Sequence, residues 1–113
     1  MPKYLLQASY TTEGVKGLLK DGGSKRREVV EQLTKALGGR VEAFYFAFGD
    51  DDVYIISDVP DHVTMSAVSL TVNASGAVKV KTTVLLTAEE VDQATKMTAN
   101  YRAPGQGAVP DAG

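Results

Sequence analysis

Three consecutive carboxylates, Asp50, Asp51 and Asp52, stand between the apolar runs RVEAFYFAF (40–48) and DVYIISDV (52–59). Carboxylate oxygens are what hard cations such as calcium and magnesium take as ligands. Two carboxyls converging on one substrate can also serve as acid and base. The spacing speaks against both uses. Adjacent side chains point in different directions, the Asp-x-Asp-x-Asp-Gly alternation of an EF-hand loop is missing, and a tight turn does not bring two of the three to one point. The run reads as the solvated tip of a hairpin, with Asp52 bonding turn amides. No metal site is expected.

The other chemistry-bearing side chains are few. His62 is the single histidine and lies beside Asp61 at an expected helix start. One imidazole cannot build a structural zinc site within one protomer. A surface role is the plain reading, and a haem ligand or general base the sharper one. Lys25, Arg26 and Arg27 follow Ser24 at the start of another helix. Free amides and basic side chains there suit an anion, but Gly-Gly-Ser lacks the Walker lysine and spacing, so a solvated basic face is the default. Lys79 and Lys81 alternate with valines, as edge lysines that deter aggregation do. The polar ends of Tyr10, Tyr45, Tyr54 and Thr82, with Lys81, are the best candidates for orienting a small ligand in an apolar cavity. The competing reading makes them core residues whose hydroxyls reach solvent or backbone. No catalytic set can be assigned from spacing, and no cofactor is expected.

The whole chain narrows the field further. Its 113 residues suit one domain with one core. The net charge of −2, with both signs interspersed, carries no footprint for nucleic acid or an anionic membrane. Without cysteine there are no disulfides, thiolate metal sites or thiol nucleophiles, which suits a reducing compartment. The apolar patch in MPKYLLQASY is shorter than a signal peptide's hydrophobic region, and no run reaches transmembrane length. A soluble cytoplasmic protein is the expectation.

The elements that must position these residues follow from local pattern. KYLLQASY (3–10) is a strand. VKGLLKDGG (15–23) allows one or two helical turns weakened by Gly17 and ended at Gly22-Gly23. With Ser24 as N-cap, Val29, Val30, Leu33, Ala36 and Leu37 recur at helical spacing until Gly38-Gly39. Residues 40–48 and 52–59 form an antiparallel hairpin around Gly49-Asp50-Asp51. The segment DHVTMSAVSLTVNASG (61–76) has poor periodicity, yet its Pro-Asp start and Gly76 end favour a helix. AVKVKTTVLL (77–86) alternates as a strand. Thr87-Ala88-Glu89-Glu90 is a capping-box pattern for a helix through about Ala99. Residues 1–99 read as the domain, and the Pro/Gly-rich 100–113 as a tail, mobile or draped over a neighbour.

The order β-α-β-β-α-β, with an extra C-terminal helix, predicts an α+β fold. It is the ferredoxin-like arrangement: a four-stranded antiparallel sheet with both main helices on one face. Such a sheet should alternate apolar-in and polar-out. The hairpin does not: Phe44, Phe46 and Phe48 lie on one face, Val41, Ala43, Tyr45 and Ala47 on the other, and Val53 and Ile55 oppose Tyr54 and Ile56. A second copy packing sheet against sheet would cover the spare face, so a homodimer is expected.

GGRVEAFYFAFGDDDVYII resembles the signature of the GYD domain family, small proteins assigned to the dimeric α/β barrel superfamily. Gly38, Gly39, Phe44, Tyr45, Gly49 and Asp52 occupy the matching places. YLLQASYTTEGVKGLL is similar to the family's first strand and Thr-x-x-Gly continuation, SKRREVVEQLTKALGG to its helix, and VKTTVLLTAEE to its last strand and cap. The resemblance spans roughly residues 3–98. It departs at Asp51, where the family carries the Tyr of its name, and Asp50 fills the variable position. The resemblance implies architecture: two ferredoxin-like protomers with sheets packed into a homodimeric α/β barrel, and a cavity between each sheet and its helices. It carries no established activity. A protein binding a small ligand in that cavity is the leading expectation. A cofactor-independent monooxygenase or isomerase, or a structural interaction module, are the alternatives.

Overall fold

The structure is a computed structural model that describes residues 1–107. Along the chain run β1 (Lys3–Tyr10), α1 (Thr12–Asp21), α2 (Gly23–Ala36), β2 (Arg40–Phe46), β3 (Val53–Asp58), α3 (His62–Ala74), β4 (Val78–Leu85) and α4 (Ala88–Thr95). The strands form one antiparallel sheet in the order β2-β3-β1-β4. Helices α2 and α3 lie over one face, α2 above β2 and α3 above β4, and α1 packs beside α2 and β1. This is the ferredoxin-like arrangement, as the order of elements predicts.

Local chemistry accounts for most boundaries. Thr11 caps α1 by accepting the Gly14 amide at 3.3 Å. The helix therefore begins before the expected stretch and runs for ten residues. Gly22, at φ 84°, closes α1 and is also the N-cap residue of α2, with no side chain to cap it. Ser24 thus lies inside the first turn of α2 and is not the cap the sequence suggests. At the far end Gly38, at φ 83°, makes the left-handed stop of a Schellman motif: Gly39 N–H donates to Thr34 C=O at 2.9 Å and Gly38 N–H to Lys35 C=O at 3.0 Å.

The Asp61 carboxylate caps α3 by accepting the Thr64 amide at 2.8 Å. Terminal signals thus decided helix for a segment whose apolar residues point all round: Met65 and Val68 are buried, while Val63 and Leu70 are exposed. The capping box of α4 is present in full, with Thr87 and Glu90 bonding each other's backbone amides. The helix stops at Thr95, short of Ala99, and buries no residue. Residues 96–107 carry no helix or strand, and the rest of the expected tail, 108–113, lies outside the described residues. No described helix is long and apolar enough to cross a membrane.

The core sits between sheet and helices. Tyr4, Leu6 and Ala8 of β1 and Val53 and Ile55 of β3 are buried there with Met65 and Val68 of α3. One face assignment changes. Val41 pairs with Ser57 but Ala43 pairs with Ile56, so a bulge at Glu42 shifts the register. Because the side-chain period of a strand is two, the extra residue moves Val41 to the helix side, where it packs on the core with Phe44 and Phe46. The hairpin connection is also longer than the expected turn, covering residues 47–52. Phe48, not Gly49, takes the left-handed conformation at φ 54°, with its ring stacked on Phe46 at 5.7 Å.

Candidate functional site

Helix α2 covers the β2 side of the sheet and α3 the β4 side, so the roof is thinnest over the central strands β1 and β3. An internal cavity of about 100 Å³ lies there. Leu6 and Ala8 line it from β1, Val53 and Ile55 from β3, and Leu33 and Met65 from the helices. Only four polar side chains reach it: Tyr10, Arg26, Thr34 and Ser57. The Thr34 hydroxyl donates to Val30 C=O at 2.8 Å, so its polarity is spent on its own helix. The lining is therefore mostly apolar, with Thr34 and Ser57 toward one end and Tyr10 and Arg26 toward the other.

That end is made by Tyr10 and Arg26. Both line the cavity and also a shallow cleft outside it, between α1 and α2. The last residue of β1 is held there by the hairpin, because the Asp52 carboxylate accepts the Tyr10 amide at 2.8 Å. The Asp52 amide in turn donates to Ala8 C=O at 2.8 Å. The Asp52 carboxylate thus bonds a neighbouring strand, while its backbone carbonyl accepts the Ala47 amide across the connection at 2.9 Å. Burial pushes the Tyr10 phenol above its ordinary value, and the positive charge of nearby Arg26 pulls in the opposite direction.

The acidic run is not a uniformly solvated tip. Asp50 is exposed, but Asp51 is only 4 % exposed. Its carboxylate accepts from Ser9 Oγ at 3.0 Å and Gln7 Nε2 at 3.2 Å, and pairs with Lys81 Nζ at 3.1 Å. The Lys81 hydrogen bond, with that of Ser9 behind it, holds the Asp51 carboxyl below its ordinary value against the effect of burial. The connection folds back over the sheet face opposite the helices, which local spacing cannot reveal. At the other end of that face Asp58 accepts from Lys3 at 2.9 Å and Arg40 at 3.0 Å, and Lys3 also bonds Glu42.

The remaining candidates are dispersed. Tyr45 and Tyr54 are cross-strand neighbours on the open face, across the sheet from the cavity, and Lys81 is on that face too. Thr82 lies on the helix side, bonded to Ser69 at 3.0 Å in a groove between α3 and β4. His62 borders the same groove, its Nδ1 2.6 Å from the Tyr4 hydroxyl. Burial raises the Tyr4 phenol above its ordinary value, with the Asp61 charge adding to it. Among the described residues no group of three or more His, Asp or Glu side chains could hold a metal ion.

Of the five predicted ligand residues the structure brings only Tyr10 to the cavity. From sequence, Arg26 is weighed for an anion only as part of the triplet Lys25-Arg26-Arg27, with a solvated basic face as the default, and not as a lining residue of the cavity. The signal was present: Arg26, Val29, Val30 and Leu33 follow i, i+3, i+4, i+7, so Arg26 alone of the three sits on the apolar stripe.

Comparison with protein families finds a match to the model described as GYD domain, over residues 4–95. No curated protein and no solved structure matches the chain.

Proposed function

The chain belongs to the GYD domain family, and on that premise we propose that it binds a small ligand between its sheet and its helices. The observation that carries this reading is the cavity itself. A void of about 100 Å³ in a close-packed domain forfeits dispersion contacts on all its walls. Empty apolar cavities of about 150 Å³ stay dry and take up benzene, so this one is suited to a body of about one ring or less. Tyr10 and Arg26 at its edge supply the few convergent polar groups a binding site needs.

The reading is tested on the full chain by native mass spectrometry for co-purified mass, and by methyl NMR during titration with toluene. Shifts confined to Leu6, Ile55, Met65 and Val68, abolished when Ala8→Leu fills the space, are the expected result. Unchanged methyl spectra at saturating toluene refute it.

The open sheet face supports a homodimer, part of the same proposal. Leu5, Ala43, Tyr54 and Ile56 give it an apolar centre, Tyr45 there is 70 % exposed, and ion-paired groups stand at both ends. A second copy would bury that centre while leaving the charges at a polar rim. Light scattering should find a dimer at micromolar concentration and a monomer for Tyr45→Asp. A monomeric wild-type protein contradicts the dimer and leaves the cavity reading standing.

A further inference from the structure

Resting on the cavity reading, we infer that the occupant is a small monoanion: an apolar body of about one aromatic ring inside the cavity, with a carboxylate held at its mouth by Arg26 and Tyr10.

Position points to Arg26, the one charged side chain among the described residues that lines the cavity. Its neighbour Arg27 pairs with Glu31 at 3.3 Å, and on α1 Lys16 pairs with Glu13 at 3.8 Å. Among the described residues no carboxylate pairs with Arg26, which lines the apolar cavity on one side and, with Tyr10, the outer cleft on the other. A half-buried arginine facing a mostly apolar cavity is an incomplete arrangement, because a charge withdrawn from water needs a counter-charge or a full set of hydrogen bonds. Its planar fork matches the two oxygens of a carboxylate. The Tyr10 hydroxyl, which lines the same cavity, has a proton to donate to the same group.

The surroundings limit the charge and the size. Nothing else charged lines the cavity, so the anionic group must stop at the mouth and the body must be apolar. Glu13 and Asp21 line the outer cleft, and Lys16 offsets only the first. A doubly charged phosphate would meet that acidic approach and would need more donors than an arginine and a phenol provide. The start of α2 adds a modest push in the same direction: Gly22 offers no side-chain cap and the first turn holds no acid.

The test titrates the full chain with benzoate and with toluene, read by methyl and amide NMR and by calorimetry. Benzoate is expected to bind about tenfold to a hundredfold tighter than toluene, the worth of hydrogen bonds to a charged group. Arg26→Gln should erase that margin, read as the ratio of benzoate to toluene affinity in the same variant. Tyr10→Phe, which keeps the ring and removes only the hydroxyl, should erode it in the same sense. Equal affinities for the two probes overturn the anion inference and leave the cavity reading intact. A benzoate preference that survives both substitutions overturns the assignment to these residues. Failure of both probes to bind overturns the inference together with the reading it rests on.

Discussion

Gly14 offers a sharp test of how the helix layer is fastened to the sheet. It occupies the first turn of α1, and a Cβ built on it would lie 2.1 Å from the Ala77 carbonyl oxygen and 2.9 Å from the Tyr10 ring. An ordinary carbon–oxygen contact is about 3.3 Å, so Gly14→Ala must push α1 away from residues 76–77 by about 1 Å. That movement pulls on the bonds that seat the helix: Thr11 N–H to Ala77 C=O at 3.0 Å and the Thr11 hydroxyl to Gly76 C=O at 2.9 Å. Each such bond contributes about 1 kcal/mol net, and overpacking costs about 1–3 kcal/mol. Alanine returns about 1 kcal/mol of helix propensity. The net expectation is a loss of about 1–3 kcal/mol. Gly17→Ala in the same helix meets nothing within 4 Å and should gain up to about 1 kcal/mol from propensity alone. Urea unfolding followed by circular dichroism, at one fixed protein concentration because a dimer's stability depends on it, reads both variants. Opposite signs are expected. A Gly14→Ala protein as stable as wild type would refute the steric reasoning. The displaced Tyr10 ring also predicts weaker benzoate binding in that variant.

The charged and capped groups give further predictions. Hydrogen bonds from Lys3 first and Arg40 next hold Asp58 below its ordinary value of 3.8. Its charge therefore adds stability that is present above about pH 4 and lost as pH falls through the lower folded value. Asp51 and Asp61 are lowered too, so Asp58→Asn should flatten only part of the acid limb of a stability–pH curve. An acid limb of unchanged slope would show that the Lys3–Asp58–Arg40 cluster contributes nothing. Thr87→Ala removes the capping box of α4, a change of about 1 kcal/mol in helix stability. Because α4 buries nothing, amide exchange should speed up in 88–95 while the global unfolding midpoint stays put. A lowered midpoint would mean that α4 packs against something, a partner protomer included.

The sequence by itself determined the kinds of element and their order, because caps, stops and short-range periodicity are local. Asp61 capping α3, Thr87 and Glu90 boxing α4, and Gly38 closing α2 are each decided within a few residues of chain. The ferredoxin-like arrangement followed from that order, and the family from motifs in the same local stretches. Tertiary structure alone decided which side chains meet. A single extra residue at Glu42 swung Val41 to the helix side, and no pattern of alternation announces a bulge. Asp51 found Gln7, Ser9 and Lys81 on strands more than twenty residues away along the chain, and so became a buried, paired carboxylate where three acids in a row suggested a wet tip. The same distance hid the candidate site. Tyr10 ends one strand and Arg26 begins a helix sixteen positions on. Only the packing of α2 across the sheet brings phenol and guanidinium together at the mouth of one cavity. Backbone preference acts over one turn of chain, whereas a binding site is made where distant segments share a boundary with empty space.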